Sequence, residues 1–234
     1  MAPKTTIDQV LEQFLVDQRA VLSVRTMRNY EYVIELLQDS LNGYGPNTLD
    51  KVEAARWKKA YDAGDEEAFC RLFGPEELLE NLDEFLGYFM IRKVFASQEL
   101  LRSAGTVAKK LANWCHQHGY VGDDERAVAV ERGAEASRDL PHAEQLATLL
   151  FDLSRATPSF DPDEFTPGDF VEDSLLIERV EPGKLYFNGG IGPLAVPKKA
   201  AALAKPGWRV TLTLTLARLH GTWRVVEVGN VYPS

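Results

Sequence analysis

Cysteine is nearly absent: the 234 residues include two, Cys70 and Cys115. Two cysteines cannot build a disulfide framework. Both fall on apolar helical faces, so free thiols in a reducing, cytoplasmic setting are expected. Long apolar runs are absent too. No stretch approaches the roughly 20 apolar residues that span a bilayer. The opening Met1-Ala2-Pro3-Lys4-Thr5-Thr6-Ile7-Asp8 has no apolar secretory core, and no membrane partner is expected. Positive charge is in deficit. The chain has 26 Lys/Arg against 35 Asp/Glu, a net charge of −9, which excludes a general nucleic-acid-coating role. No internal repeat is evident, which argues against a solenoid.

What is present is an ordinary globular composition, 45% hydrophobic and 26% charged, at a length that allows one or two domains. The charge is unevenly spread. Residues 1–120 hold 14 Lys/Arg and 18 Asp/Glu, residues 121–170 hold 4 and 12, and residues 171–234 hold 8 and 5. The middle is therefore strongly acidic and the tail mildly basic, a mark of domain organisation.

Residues 1–120 read as helices. Ile7, Val10, Leu11, Phe14 and Leu15 follow helical spacing. Ser23 is an N-cap for a stripe through Met27, Tyr30, Ile34, Leu37 and Leu41. A shorter helix over about Leu49–Tyr61 carries Trp57. Pro75 suits a first turn, followed by Leu78, Leu82, Phe85, Leu86 and Phe89 on one face. Ser97 caps a last helix through Leu100, Ala104, Val107, Ala108, Leu111, Trp114 and Cys115, which Gly119 ends. Residues 121–170 read as an acidic connector. It has little periodicity before Asp139, one helix over about 141–156, and an extended linker from Thr157 to Gly168 with three prolines.

The period changes in residues 171–234. Strand-like runs lie around Leu175–Val180, Lys184–Phe187, Leu194–Val196, Val210–Leu216 and Trp223–Val231. A short helix from Pro197 to Ala204 separates the third from the fourth. That order predicts a small five-stranded β-barrel, either an OB-fold or an SH3-like barrel. The expected fold class is thus α+β and multidomain: an all-α N-terminal domain followed by a small five-stranded β-barrel.

Three segments carry a family likeness. They are Val10-Leu11-Glu12-Gln13-Phe14-Leu15, Ser23-Val24-Arg25-Thr26-Met27-Arg28-Asn29-Tyr30, and Thr106-Val107-Ala108-Lys109-Lys110-Leu111-Ala112-Asn113-Trp114 with Gly119-Tyr120. Together they resemble the N-terminal core-binding, SAM-like domain of phage integrases and other tyrosine recombinases, over about half the chain. The stretch from Asp65 to Val94 exceeds that family's compact four-helix form. The resemblance implies a domain that clamps duplex DNA. Arg25, Thr26, Arg28 and Tyr30 would face phosphate or a groove from one helix start, and Lys109, Lys110 and Asn113 from the last helix. Helix N-termini and Lys/Arg neutralise phosphate, and Asn can read a base edge. The alternative is that these are solvated helix faces.

The family's catalytic half is not matched. His116, His118, His142 and His220 are followed three positions later by Gly119, Val121, Gln145 and Trp223. None completes the His-x-x-Arg marker of the site that stabilises the transferring phosphate. Enzymatic activity is not expected, nor is a cofactor or metal. Cys115-His116-Gln117-His118 is dense in metal-type ligands, but consecutive helical residues diverge by about 100°. Asn188-Gly189-Gly190-Ile191-Gly192-Pro193 is a turn without the Lys-Ser/Thr of a phosphate loop. Asp161, Asp163 and Glu164 lack the glycine of a calcium loop.

The barrel offers its own nucleic-acid surface, because single strands bind through aromatic stacking beside cations. Tyr186, Phe187, Trp208 and Trp223 are the aromatic candidates, and Lys184, Arg209, Arg218 and Arg224 the cationic ones. Phe187 and Trp223 are expected in the core, and Tyr186, alternating with Phe187, outside. The chain thus reads as a non-catalytic DNA-associated protein. The second reading is a protein-interaction adaptor whose partner binds the helical domain. Oligomeric state is not legible.

Overall fold

The structure is a computed structural model that describes residues 5–157, 170–217 and 222–233, without the side chains of residues 214–217. The proline-rich linker, its acids Asp161, Asp163 and Glu164, and Arg218 lie outside the described residues, apart from Thr157. The chain divides into a helical unit up to Arg138 and a second unit from Asp139 onward. No helix among the described residues is long and apolar enough to cross a membrane.

In the helical unit, α1 (Ile7–Arg19) starts at a reciprocal cap between Thr6 and Gln9. α2 (Val24–Tyr44) starts at Ser23, whose side chain accepts from the Thr26 amide. α3 (Lys51–Asp62), α4 (Ala68–Leu72), α5 (Pro75–Glu80), α6 (Leu82–Glu84), a π-helical turn (Phe85–Phe89) and α7 (Met90–Arg92) follow. α8 (Gln98–Gln117) is capped by Ser97. The predicted helix after Pro75 is thus broken into short turns. Its apolar face survives, with Leu78, Leu82, Phe85, Leu86 and Phe89 all buried. Phe14 stacks on Tyr30 and meets Trp114 edge-on, which ties α1, α2 and α8 into one core.

The acidic connector needs correcting. Residues Asp123–Arg155 form one 33-residue helix, α9, which runs through Pro141. Asp123, Asp124 and Glu125 sit in its first turn, where the helix dipole favours negative charge. The helix was hidden because its buried stripe is written in small residues. Ala129, Gly133, Ala136, Leu140 and Ala143 recur at spacings of three and four, and all are buried. At Gly105 of α8 and Gly133 of α9 the two backbones nearly touch. A Cβ added at Gly105 would lie 2.2 Å from the Ser137 amide nitrogen, and one at Gly133 would lie 2.7 Å from the Lys109 nitrogen.

The second unit holds the end of α9, five strands and a helix. β1 (Phe170–Glu181), β2 (Lys184–Phe187) and β3 (Ile191–Ala195) precede α10 (Lys198–Leu203), then β4 (Arg209–Ala217) and β5 (Thr222–Tyr232). They close into a barrel in the order β1-β2-β3-β5-β4, with β1 also paired to β4. β3 and β5 are parallel where Leu194 meets Trp223, and the other pairs are antiparallel. The α+β two-domain architecture read from the sequence is therefore present. The barrel core includes Leu175, Ile177, Leu185, Phe187, Trp208 and Val210, and α9 adds Ala143, Leu146 and Leu150 to it. Asp139, almost fully buried, receives a 2.6 Å hydrogen bond from Lys205, whose ammonium lies 5.5 Å from the Trp208 ring centre. The helix read as part of a connector is thus a wall of the second unit, because a small barrel lacks the volume to bury its own apolar face.

Candidate nucleic-acid interface

The barrel places four of the relevant groups on the outer surface of β1 and its neighbours. Lys184 and Tyr186 are two residues apart on β2 and so share a face. Tyr186 pairs with Arg179 of β1. The Arg179 guanidinium lies 3.6 Å from the centre of the Tyr186 ring, a cation–π stack. The Tyr186 hydroxyl donates a 2.8 Å hydrogen bond to Glu181, which Arg179 also contacts. That bond raises the phenol above its ordinary value. Exposed Arg209 opens β4 opposite Leu176 of β1, with Tyr232 on its other side. Arg179 was missed as a candidate. Its signal was available in the β1–β2 register, because an Arg directly across an antiparallel pair from an outward Tyr can cover it.

The other aromatics divide by burial. Phe187 and Trp208 are 1% exposed and fill the core. Trp208 is therefore corrected as a stacking candidate: its indole is enclosed by the barrel and cannot meet a base. Trp223 is half-buried, and Arg224 beside it is exposed.

On the helical unit the candidate cations stand apart. Arg25 is exposed at the start of α2 and pairs at 3.5 Å with Glu99 of α8. The Thr26 hydroxyl is 2.9 Å from the Ser23 hydroxyl within the cap, and Arg28 is exposed. Tyr30 is corrected as a phosphate contact, because it is buried against Phe14 and burial raises its pKa. Lys109 and Lys110 are exposed on α8, ten and eleven residues beyond Glu99, about 15 Å along the axis. Asn113 is committed locally: its amide donates to the Lys109 carbonyl at 2.9 Å and accepts from Arg126 at 3.4 Å. The two sets of cations do not form one cluster.

The histidine segment has local partners as well. His116 pairs with Asp123 at 3.2 Å. His118 stacks on Trp114 with ring centres 3.9 Å apart and lies 3.6 Å from Asp17, which accepts a 2.9 Å bond from the Trp114 indole. That bond, with a second from Gln13, lowers the Asp17 pKa. Cys115 is buried, whereas His116 meets Asp123 and His118 meets Trp114, so the three residues diverge.

No family model, no curated protein and no solved structure matches this chain.

Proposed function

We propose that this chain is a non-catalytic, DNA-associated protein whose β-barrel, of OB type, makes the main contact. The observation that carries the reading is the strand order β1-β2-β3-β5-β4 with a helix between β3 and β4, together with the Arg179–Tyr186 stack on the outer face of β1 and β2. Barrels of this order bind nucleic acid across the surface of strands 2 and 3. A nucleobase can stack on an aromatic ring or on a guanidinium plane, and Lys184 and Arg209 supply phosphate neutralisation nearby. The helical unit, in its likeness to an integrase core-binding domain, adds Arg25, Arg28, Lys109 and Lys110 as a separate, weaker cationic surface. No catalytic step is assigned to either unit.

Fluorescence anisotropy with labelled single-stranded and duplex oligonucleotides tests this. Binding is expected at about 50 mM salt and should weaken linearly in log–log form as salt rises. Arg179→Ala with Tyr186→Ala should lower affinity about tenfold or more, as loss of one stacked base implies. No binding of either oligonucleotide at low salt would sink the proposal. The adaptor reading would then stand. It is favoured by the exposed valines Val16, Val21 and Val24 at the end of α1 and start of α2.

A further inference from the structure

The Arg179–Tyr186 stack has a third member whose charge is unexpected on a nucleic-acid surface. Glu181 follows Arg179 by two residues on β1, so the two side chains share a face. Across the hairpin, Arg179 faces Tyr186 and Glu181 faces Lys184. The Glu181 carboxylate serves both members of the stack. Its Oε2 accepts the Tyr186 hydroxyl at 2.8 Å, and its Oε1 pairs with Nη1 of Arg179. One negative charge is thus set against the charge of Arg179. Lys184 makes no ion pair among the described residues.

A carboxylate at this point repels phosphate, so a face built for backbone contact alone is better without it. What Glu181 supplies is orientation. An unpaired arginine is a flexible cation with five donors, suited to phosphate. Arg179 is instead tied at Nη1 and laid over the Tyr186 ring, yet its side chain remains 57% exposed. Its planar outer face is therefore open, and a nucleobase stacks on such a plane as it does on an aromatic ring. The β3 side is open as well. Gly192 adds no side chain there, whereas a Cβ at that position would lie 3.4 Å from Cδ1 of Tyr186.

We propose that Glu181 sets the strand selectivity of this face. By neutralising Arg179 and holding it flat on Tyr186, it favours an unstacked base of a single strand over the phosphates of a duplex. This rests on the DNA reading of the barrel and adds a positioning residue to it. A single strand can lay a base on the stack and leave its phosphate to Lys184. A duplex keeps its bases paired and stacked, and offers the face mainly phosphates. Glu181 is part of an exposed ion pair, which contributes little to folding, so the carboxylate can be replaced in a folded barrel.

Fluorescence anisotropy of the full chain tests this, with an oligo-dT strand of about 12 nucleotides and a mixed-sequence duplex of similar length, over about 50–500 mM salt. The wild type should bind the single strand more tightly. Glu181→Gln keeps the size and removes the charge. It should weaken single-strand binding about threefold or more, because the stack loosens. Duplex binding should strengthen, with a log–log salt slope steeper by about one, because Arg179 is freed for phosphate. In an Arg179→Ala background the same substitution should leave that slope unchanged. A wild type that prefers duplex overturns the proposal and leaves the DNA reading standing. So do affinities for the two substrates that move in the same direction on Glu181→Gln. A wild type that binds neither oligonucleotide at low salt overturns both.

Discussion

The helical unit and the barrel unit bury their cores in different ways. The helical unit draws large side chains from many helices, with Phe14, Phe69, Phe85, Leu78 and Trp114 each largely hidden. At one place it needs the reverse, and Gly105 and Gly133 let two backbones meet. The barrel unit has five strands and one enclosed indole, Trp208, and takes Leu146 and Leu150 from α9 to complete its interior. A large helical core spreads its stability over many contacts. A small barrel concentrates it in a few, and so depends on a neighbouring helix.

The sharpest way to break this comparison is Trp208→Ala. It should cost about 3–5 kcal/mol. Hydrogen exchange should show the lost protection in β1–β5 and in residues 143–150 of α9, with α1, α2 and α8 little changed. Equal loss in both units would mean that the cores are not separate.

Next comes glycine, where one substitution should act with opposite signs in the same unit. Gly105→Ala pushes a Cβ to 2.2 Å from the Ser137 nitrogen, which is backbone and cannot swing aside. It should destabilise by about 1–3 kcal/mol. Gly43→Ala in α2 meets nothing within 4 Å and should stabilise by about 0.5–1 kcal/mol through lower unfolded-state entropy and better helix propensity. Urea midpoints moving in the same direction would refute the close-contact account of α8 and α9.

A smaller effect separates two carboxylates within the helical unit. Asp17 is held below its ordinary value of 3.8 by the indole hydrogen bond from Trp114 and the amide of Gln13. Its contribution is present above the unfolded value and lost as pH falls through the folded one. Asp8 is raised, chiefly by burial, with Glu67 and Asp65 adding to the shift. Its ionised form therefore opposes folding, and stability should fall as pH rises through its folded value. Asp17→Asn should destabilise at neutral pH and Asp8→Asn should stabilise, with both differences shrinking toward acid pH. Urea unfolding of the two variants at neutral and acid pH decides it, and differences of the same sign would contradict both assignments.

The smallest expected signal is at the thiols. Burial pushes Cys115 up to about 12 and raises Cys70 further. Neither should react with a disulfide reagent in the folded protein at mildly alkaline pH, and both should react in denaturant. A fast-reacting native thiol would show that the helical core opens more readily than its packing implies.

Much of this fold was legible because its signals are local. Ser23 and Ser97 sit where their hydroxyls cap a helix, and Gly119 takes a positive φ of 72° at the end of α8. Phe14, Leu37 and Leu111 lie on large-residue stripes, and Val210 and Leu212 alternate along a strand with both side chains buried. Before Leu140, α9 was not legible. Its stripe of alanine and glycine carries little hydrophobic contrast, and Pro141 reads as a boundary although the helix continues through it. The candidate interface was half legible. Lys184 and Tyr186 follow from strand alternation, but Arg179 required the β1–β2 register, which depends on the bulge between Ile177 and Arg179.

The sequence by itself determined the sorting into helices and then strands, the capped starts of α2 and α8, the burial of Phe187 and the outward side of Tyr186. Each depends on neighbours within a few residues, where periodicity and capping act directly. Only the tertiary structure decided the closed order β1-β2-β3-β5-β4, the enclosure of Trp208, and the capture of Leu146 and Leu150 by the barrel. Those features join residues far apart in the chain, and which faces meet is settled by the burial and charge pairing of the whole unit.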